Sequence, residues 1–173
     1  MEAEAPRIVT TAPPGVRLRP VEDRDLPFLA ELYASTRREE VAQTPWSEEQ
    51  KEAFLRWQFE NQHWHYREYY PGCEFLVIEE EGAAIGRLYV DRWQDQIRLV
   101  DISLLPEHRG LGLGTALLGE LLAEGEAREL PVTIHVEFNN PALALYRRLG
   151  FRHVDSNGIY YLMRWTPPNL SSR

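Results

Sequence analysis

Gly110, Gly112 and Gly114 stand at alternate positions in Arg109-Gly110-Leu111-Gly112-Leu113-Gly114, with Thr115 immediately after. Glycines let an anion approach backbone N–H groups without Cβ atoms in the way. The flanking residues supply the reason for an anion to come. Ile97–Leu105 is an apolar, branched run of strand type. Thr115–Ala123 continues a helical pattern in which Leu113, Leu117, Leu118, Leu121 and Leu122 recur at helical spacing. A strand that feeds a glycine turn opening a helix aims about four unpaired N–H groups, and the positive end of the helix dipole, at the turn. Such a turn suits a phosphate. Two common phosphate loops are excluded by the letters: no lysine precedes Thr115, as a Walker loop requires, and counting Gly-x-Gly-x-x-Gly from Gly110 ends on Thr115.

Arg-x-x-Gly-x-Gly after a strand that ends in Pro106 resembles the pyrophosphate loop of the GNAT superfamily, the acyl-CoA-dependent N-acyltransferases. A second segment, Asn139–Phe151 (NNPALALYRRLGF), resembles that superfamily's Asn-x-x-Ala-x-x-Leu-Tyr-x-x-Leu-Gly-Phe stretch and matches it at every defined position. The resemblance spans about 16–165 and is specific in Ile102–Gly114 and Asn139–Phe151. It implies an enzyme that transfers acetyl from acetyl-CoA to the primary amine of a small molecule or peptide, by direct attack in a ternary complex. A protein N-terminus or lysine is an alternative acceptor. A non-catalytic acyl-CoA-binding sensor of the same fold is a rival reading.

The resemblance also implies roles. Gly110, Leu111, Gly112, Leu113 and Gly114 would hold the pyrophosphate by their backbone, with charge from Arg109 and a hydroxyl from Thr115. Ile102, Ser103 and Leu104 would pair with the pantetheine arm at a splay between two parallel strands, the Leu104 N–H polarising the thioester carbonyl. Asn139 would orient the cofactor arm, and Tyr146 would protonate the leaving thiolate. A phenol with pKa about 10 giving a proton to a thiolate of about 8.5 works mildly uphill. The competing reading of Tyr146 is a structural residue of an amphipathic helix.

Two residues compete for the base. Asp101 shares a strand face with Ser103, and its structural alternative is a carboxylate paired with Arg98 or Arg87. His135, in the strand Val132–Phe138, titrates near neutrality; its alternative is a satisfied core histidine. Glu137 is a weaker third choice. His63, His65, His108 and His153 form no metal-ligand spacing, and no metal is expected.

The elements that must position these residues follow from pattern. Val16–Pro20 reads as a strand. Asp23 or Asp25 caps a helix with Pro27 in its first turn, and Ser47 with Gln50 forms a capping box for a long aromatic helix over 48–69. Within that helix Trp57, His63, His65 and Tyr66 either sit at the rim of a packed helix or wall an acceptor pocket. Strands over 75–78, 84–93 and 97–105 lead to the glycine loop and its helix. A strand over 132–138, a helix over 141–149, and two strands joined at Asn157-Gly158 complete the order. The expected fold is α/β (α+β): a mixed, mostly antiparallel twisted sheet of six to seven strands, helices on both faces. Residues 1–15, Pro-rich and acidic, read as a flexible arm, 16–165 as a single domain and 166–173 as a polar tail.

Composition narrows the partners. A formal net charge of −8 over 173 residues argues against sequence-independent nucleic-acid binding. It mildly favours a cationic acceptor. Cys73 is the lone cysteine, which excludes an intramolecular disulfide and suits a reducing compartment. No run reaches the roughly 20 apolar residues of a membrane span, and 1–15 lacks the apolar core of a signal peptide. The expectation is a cytoplasmic monomer or homodimer whose partners are acetyl-CoA and an amine.

Overall fold

A computed structural model describes residues 7–171. Seven strands form one sheet in the order β1-β2-β3-β4-β5-β7-β6. They are β1 (Val16–Pro20), β2 (Glu74–Glu80), β3 (Ala83–Arg92), β4 (Ile97–Leu104), β5 (Val132–Glu137), β6 (Arg152–Asn157) and β7 (Tyr160–Trp165). All neighbours are antiparallel except β4 and β5. The helices are α1 (Leu26–Ala42), α2 (Glu48–Tyr69), α3 (Leu113–Arg128), α4 (Leu143–Arg148) and the short α5 (Pro168–Ser171). The expected mixed sheet with helices on both faces is what forms. Within the stretch read as a polar tail, Pro168–Ser171 forms a helical turn, and 172–173 lie outside the described residues.

Each face has its own apolar cluster. Leu117, Leu118 and Leu121 of α3 and Tyr146 of α4 pack against Leu76, Ile78, Leu88, Val90, Ile97 and Leu99 from the strands. Leu29, Leu32 and Tyr33 of α1 meet Phe59 of α2 in a smaller cluster on the other side. A fully buried leucine contributes about 1.5–3 kcal/mol relative to exposure, so the leucine repeat of α3 anchors the helix behind the glycine loop.

The caps divide into one expected and one unexpected. Ser47 Oγ accepts from Gln50 N at 3.2 Å and Ser47 N donates to Gln50 Oε1 at 3.0 Å, the expected capping box. Asp25 precedes α1 but does not cap it. Its carboxylate takes the Glu22 N–H at 2.7 Å and two guanidinium bonds from Arg19, and it is buried. Of the stretch 1–15 read as a loose arm, residues 1–6 lie outside the described residues, and Val9 and Thr10 bond to the sheet. Thr10 is buried, and Val9 N, Thr10 N and Thr10 Oγ all donate to Glu74. Arg92 joins Glu74 and Thr10 to Glu124 of α3. A buried carboxylate has to find donors, and the arm supplies them.

The decisive irregularity lies in β4. Tyr89 of β3 faces Asp101, but its neighbour Val90 faces Leu99, so Val100 is an extra residue with no partner. A bulge of this kind bends its strand and swaps which face the following side chains occupy. Ile97 and Leu99 before it, and Ile102 and Leu104 after it, all join the α3-side core. Arg98, Asp101 and Ser103 fall to the other face. The pairing of β4 with β5 ends at the same point. It covers only Ile97↔Val132, Arg98↔Thr133 and Leu99↔Ile134. Beyond Leu99 the two strands diverge and leave a slot through the sheet.

Candidate active site

The slot opens into a cleft of about 960 Å³, near the upper end of volumes usual for small-molecule sites. One wall is Val100–Leu104 of β4, the other Ile134–Glu137 of β5, so the expected splay is present. Leu105 N donates to Ile85 O at 2.8 Å, which makes 105 and 85 a hydrogen-bonded pair. By antiparallel alternation Leu104, one residue earlier, turns its own N–H toward the slot. Gly86 permits this close packing of β3 on β4, since a Cβ there would stand 2.3 Å from Ser103 O.

At one end of the cleft lie Arg109, Gly110, Gly112, Gly114 and Thr115. Gly110 and Gly112 have φ of +72° and +86°, and a Cβ on either would meet nothing within 4 Å. Both glycines are therefore required by backbone conformation and leave open space for a ligand. The first helical bond of α3 runs from Ala116 N to Gly112 O at 3.0 Å. The N–H groups of Leu113, Gly114 and Thr115 have no backbone partner among the described residues. The turn thus has the open space and free donors that the sequence reading asks of an anion cradle. Leu111 and Leu113 do not line the cleft: Leu111 is exposed, and Leu113 packs on the core. Arg109 lines it but bends back, donating from Nε to Leu104 O at 2.9 Å and from NH2 to Ser35 Oγ at 3.2 Å. Its guanidinium ties the loop to β4 and α1.

Tyr146 is buried, edge-on to Phe151 at 5.6 Å. Its hydroxyl has no protein partner among the described residues, yet the residue lines the cleft. Burial, aided by the Asp101 charge, holds the phenol above its ordinary pKa. The group stays protonated across the working range. Asn139 lines the cleft from the turn before α4, while Asn140 makes that turn's bonds, its Oδ1 accepting from Ala142 N at 2.9 Å.

The opposite end is built from side chains. Asp101 is ion-paired to Arg87, whose side chain is almost wholly buried; Arg87 NH2 also donates to Gln62 Oε1 at 2.7 Å. Ser103 Oγ approaches Asp101 Oδ1 at 3.4 Å. Burial works against the Arg87 charge, and Asp101 together with Tyr89 and Tyr66 more than offsets it, so the guanidinium stays charged. Of the two partners expected for Asp101, Arg87 is the one found. Arg98 instead bonds Thr133 Oγ1 at 2.9 Å and lies over Trp93.

The His135 side chain is exposed along the cleft wall and makes no hydrogen bond among the described residues, so it is not a satisfied core histidine. Partial desolvation, then the Arg98 charge, lower its pKa from the usual imidazole value and leave it neutral at pH 7. Glu137 is clamped by Arg37 of α1 in two bonds of 2.5 and 3.0 Å. Among the described residues no group of three or more His, Cys, Asp or Glu side chains could hold a metal.

Of the aromatic helix α2, only Tyr66 and Gln62 line the cleft. Trp57 and His65 are exposed on its outer side, and His63 lies off the cleft. Tyr33, Arg37, Gln62, Arg148 and Tyr160 line the cleft without having been singled out from sequence. The regular spacing of Tyr33 and Arg37 on α1 was the one available signal.

This fold, with a glycine cradle at the end of a strand splay, is that of an acyltransferase. Residues 29–151 match the family model described as acetyltransferase (GNAT) family, and the chain belongs to that family. A Bacillus subtilis protein provisionally named a ribosomal protein bS18-alanine N-acetyltransferase is 29% identical over 167 residues, covering 90% of this chain and 96% of that one. The crystal structure of PaiA N-acetyltransferase from Thermoplasma acidophilum with coenzyme A superposes with a TM-score of 0.66 at 20% identity, over 87% of this chain and 98% of that one. The ribosomal-protein-S18-alanine N-acetyltransferase of Escherichia coli gives a TM-score of 0.58 at 20% identity, over 87% and 93%.

Proposed function

We propose that this N-acetyltransferase carries acetyl from acetyl-CoA to the α-amine of a polypeptide N-terminus. The observation that carries the reading is the slot between β4 and β5. It joins an anion cradle to an open cleft lined with polar and charged side chains, among them Glu39, Glu40 and Asp101. The name of the Bacillus subtilis relative, similar over nearly its whole length, supports a peptide acceptor.

In this reading the cradle holds the diphosphate and the Leu104 N–H polarises the thioester carbonyl. The neutral amine attacks the carbonyl carbon as the C–S bond breaks. Tyr146 gives its proton to the thiolate, and His135, neutral and accessible, takes the amine proton through water. Asp101 stays with Arg87 and attracts the incoming ammonium.

The test is release of free thiol from acetyl-CoA with short peptides whose α-amine is free or blocked, beside a panel of small amines. Turnover with free α-amines alone supports the proposal. Turnover only with small amines overturns the acceptor class. Saturable acetyl-CoA binding without turnover on any amine would restore the sensor reading.

A further inference from the structure

Four arginines line the cleft: Arg37, Arg87, Arg109 and Arg148. Three are occupied by the protein itself. Arg37 grips Glu137, Arg87 pairs with Asp101, and Arg109 is bonded to Leu104 O and Ser35. Arg148 differs. It is exposed at the end of α4, and among the described residues no hydrogen bond or ion pair holds it.

Its position is defined by its helix. Leu145 Cδ2 lies 3.8 Å from where a Cβ on Gly114 would stand, so this side chain touches the third glycine of the cradle. Arg148 comes three residues later on the same face of α4, its Cβ about 5–6 Å from that of Leu145. The free cation thus lies one helical turn along α4 from the side chain that faces the cradle, and it lines the same cleft. Arg147, its neighbour, points elsewhere and does not line the cleft.

Acyl-CoA carries a third phosphate past the diphosphate, on the ribose 3′ carbon, close to dianionic at neutral pH. A chain of formal net charge −8 must offer this ligand a local cation. A guanidinium meets phosphate oxygens with two parallel donors, which suits Arg148 to the task. We propose that Arg148 is the protein's ligand for the 3′-phosphate and the residue by which it distinguishes CoA from 3′-dephospho-CoA. This rests on the reading of the cleft as an acyl-CoA site.

The experiment is calorimetric titration of the full chain with CoA and with 3′-dephospho-CoA at low salt. The wild type should prefer CoA by roughly fivefold, the scale of an exposed charge-assisted contact. Arg148→Gln should bring the ratio close to one by weakening CoA alone. Arg147→Gln removes the same charge one residue away and should keep the wild-type ratio. A wild-type ratio in Arg148→Gln, or an equal loss in Arg147→Gln, overturns the proposal while leaving the acyl-CoA site standing, since both compounds still bind. A wild type that binds neither compound removes the acyl-CoA reading and this proposal with it.

Discussion

The two ends of the cleft are made of different material. The end proposed to hold the phosphates is backbone: left-handed glycines, open space where Cβ atoms would be, and three N–H groups at the start of α3 with no backbone partner among the described residues. The acceptor end is side chains in long-range pairs: Arg87 with Asp101 across two strands, Arg37 with Glu137 across 100 residues of chain. A backbone site recognises a shape of charge common to every acyl-CoA. A side-chain site can be altered one residue at a time. On the proposed reading, the family chemistry lies at the end that is hard to change, and acceptor choice at the end that is easy to change.

The sharpest way to break this contrast is Gly112→Asp. A carboxylate placed in the cradle should weaken acetyl-CoA binding roughly 100-fold or more, through repulsion and lost N–H contacts. The left-handed φ costs such a residue only about 1–2 kcal/mol, so the far-UV circular dichroism should be unchanged. Undiminished binding would mean the phosphates lie elsewhere.

Tyr146→Phe tests the junction of the two ends. We expect kcat to fall roughly 10- to 100-fold, the usual worth of a positioned acid, with acetyl-CoA affinity unchanged. Equal kcat on a good acceptor would reduce Tyr146 to packing against Phe151. The smallest effect should come from Glu137→Gln, which loosens the Arg37 clamp between α1 and β5. A rise of roughly three- to fivefold in acceptor KM is expected, about 0.7–1 kcal/mol for one partly exposed pair, with no change in affinity for CoA. A change in CoA affinity would show that the two ends are mechanically joined.

The same contrast explains what the sequence made legible. The cradle, Asn139 and Tyr146 lie within local segments whose spacing carries their geometry, and the strand order followed from turn residues and periodicity. The long-range pairs did not, because they depend on register. Asp101 had two candidate arginines in sequence, and only the register after the bulge brings Arg87, opposite Ser103, diagonally onto Asp101 while Arg98 goes to Thr133. Arg109 read as a phosphate ligand because it belongs to the motif, yet its partners, Leu104 O and Ser35, come from β4 and α1. His135 looked like core because its strand is apolar. It is exposed because β4 has already left β5 at that level, so no strand covers it. Val9 and Thr10 belong to a stretch that looked loose by composition, and Glu74 and Arg92 hold them by bonds that composition does not contain.

Val100 itself is a half-buried valine in an apolar run and contributes no side-chain chemistry. What matters is that it is counted. The slot exists because β4 has one residue more than β3 can pair, so the feature resides in chain length and not in residue type. A mutational scan by substitution would pass over position 100 almost silently. Loss of that one codon would make the β3–β4 ladder continuous and leave Asp101 and Ser103 on their present face, yet it would straighten β4, and the expected outcome is a narrowed slot between β4 and β5.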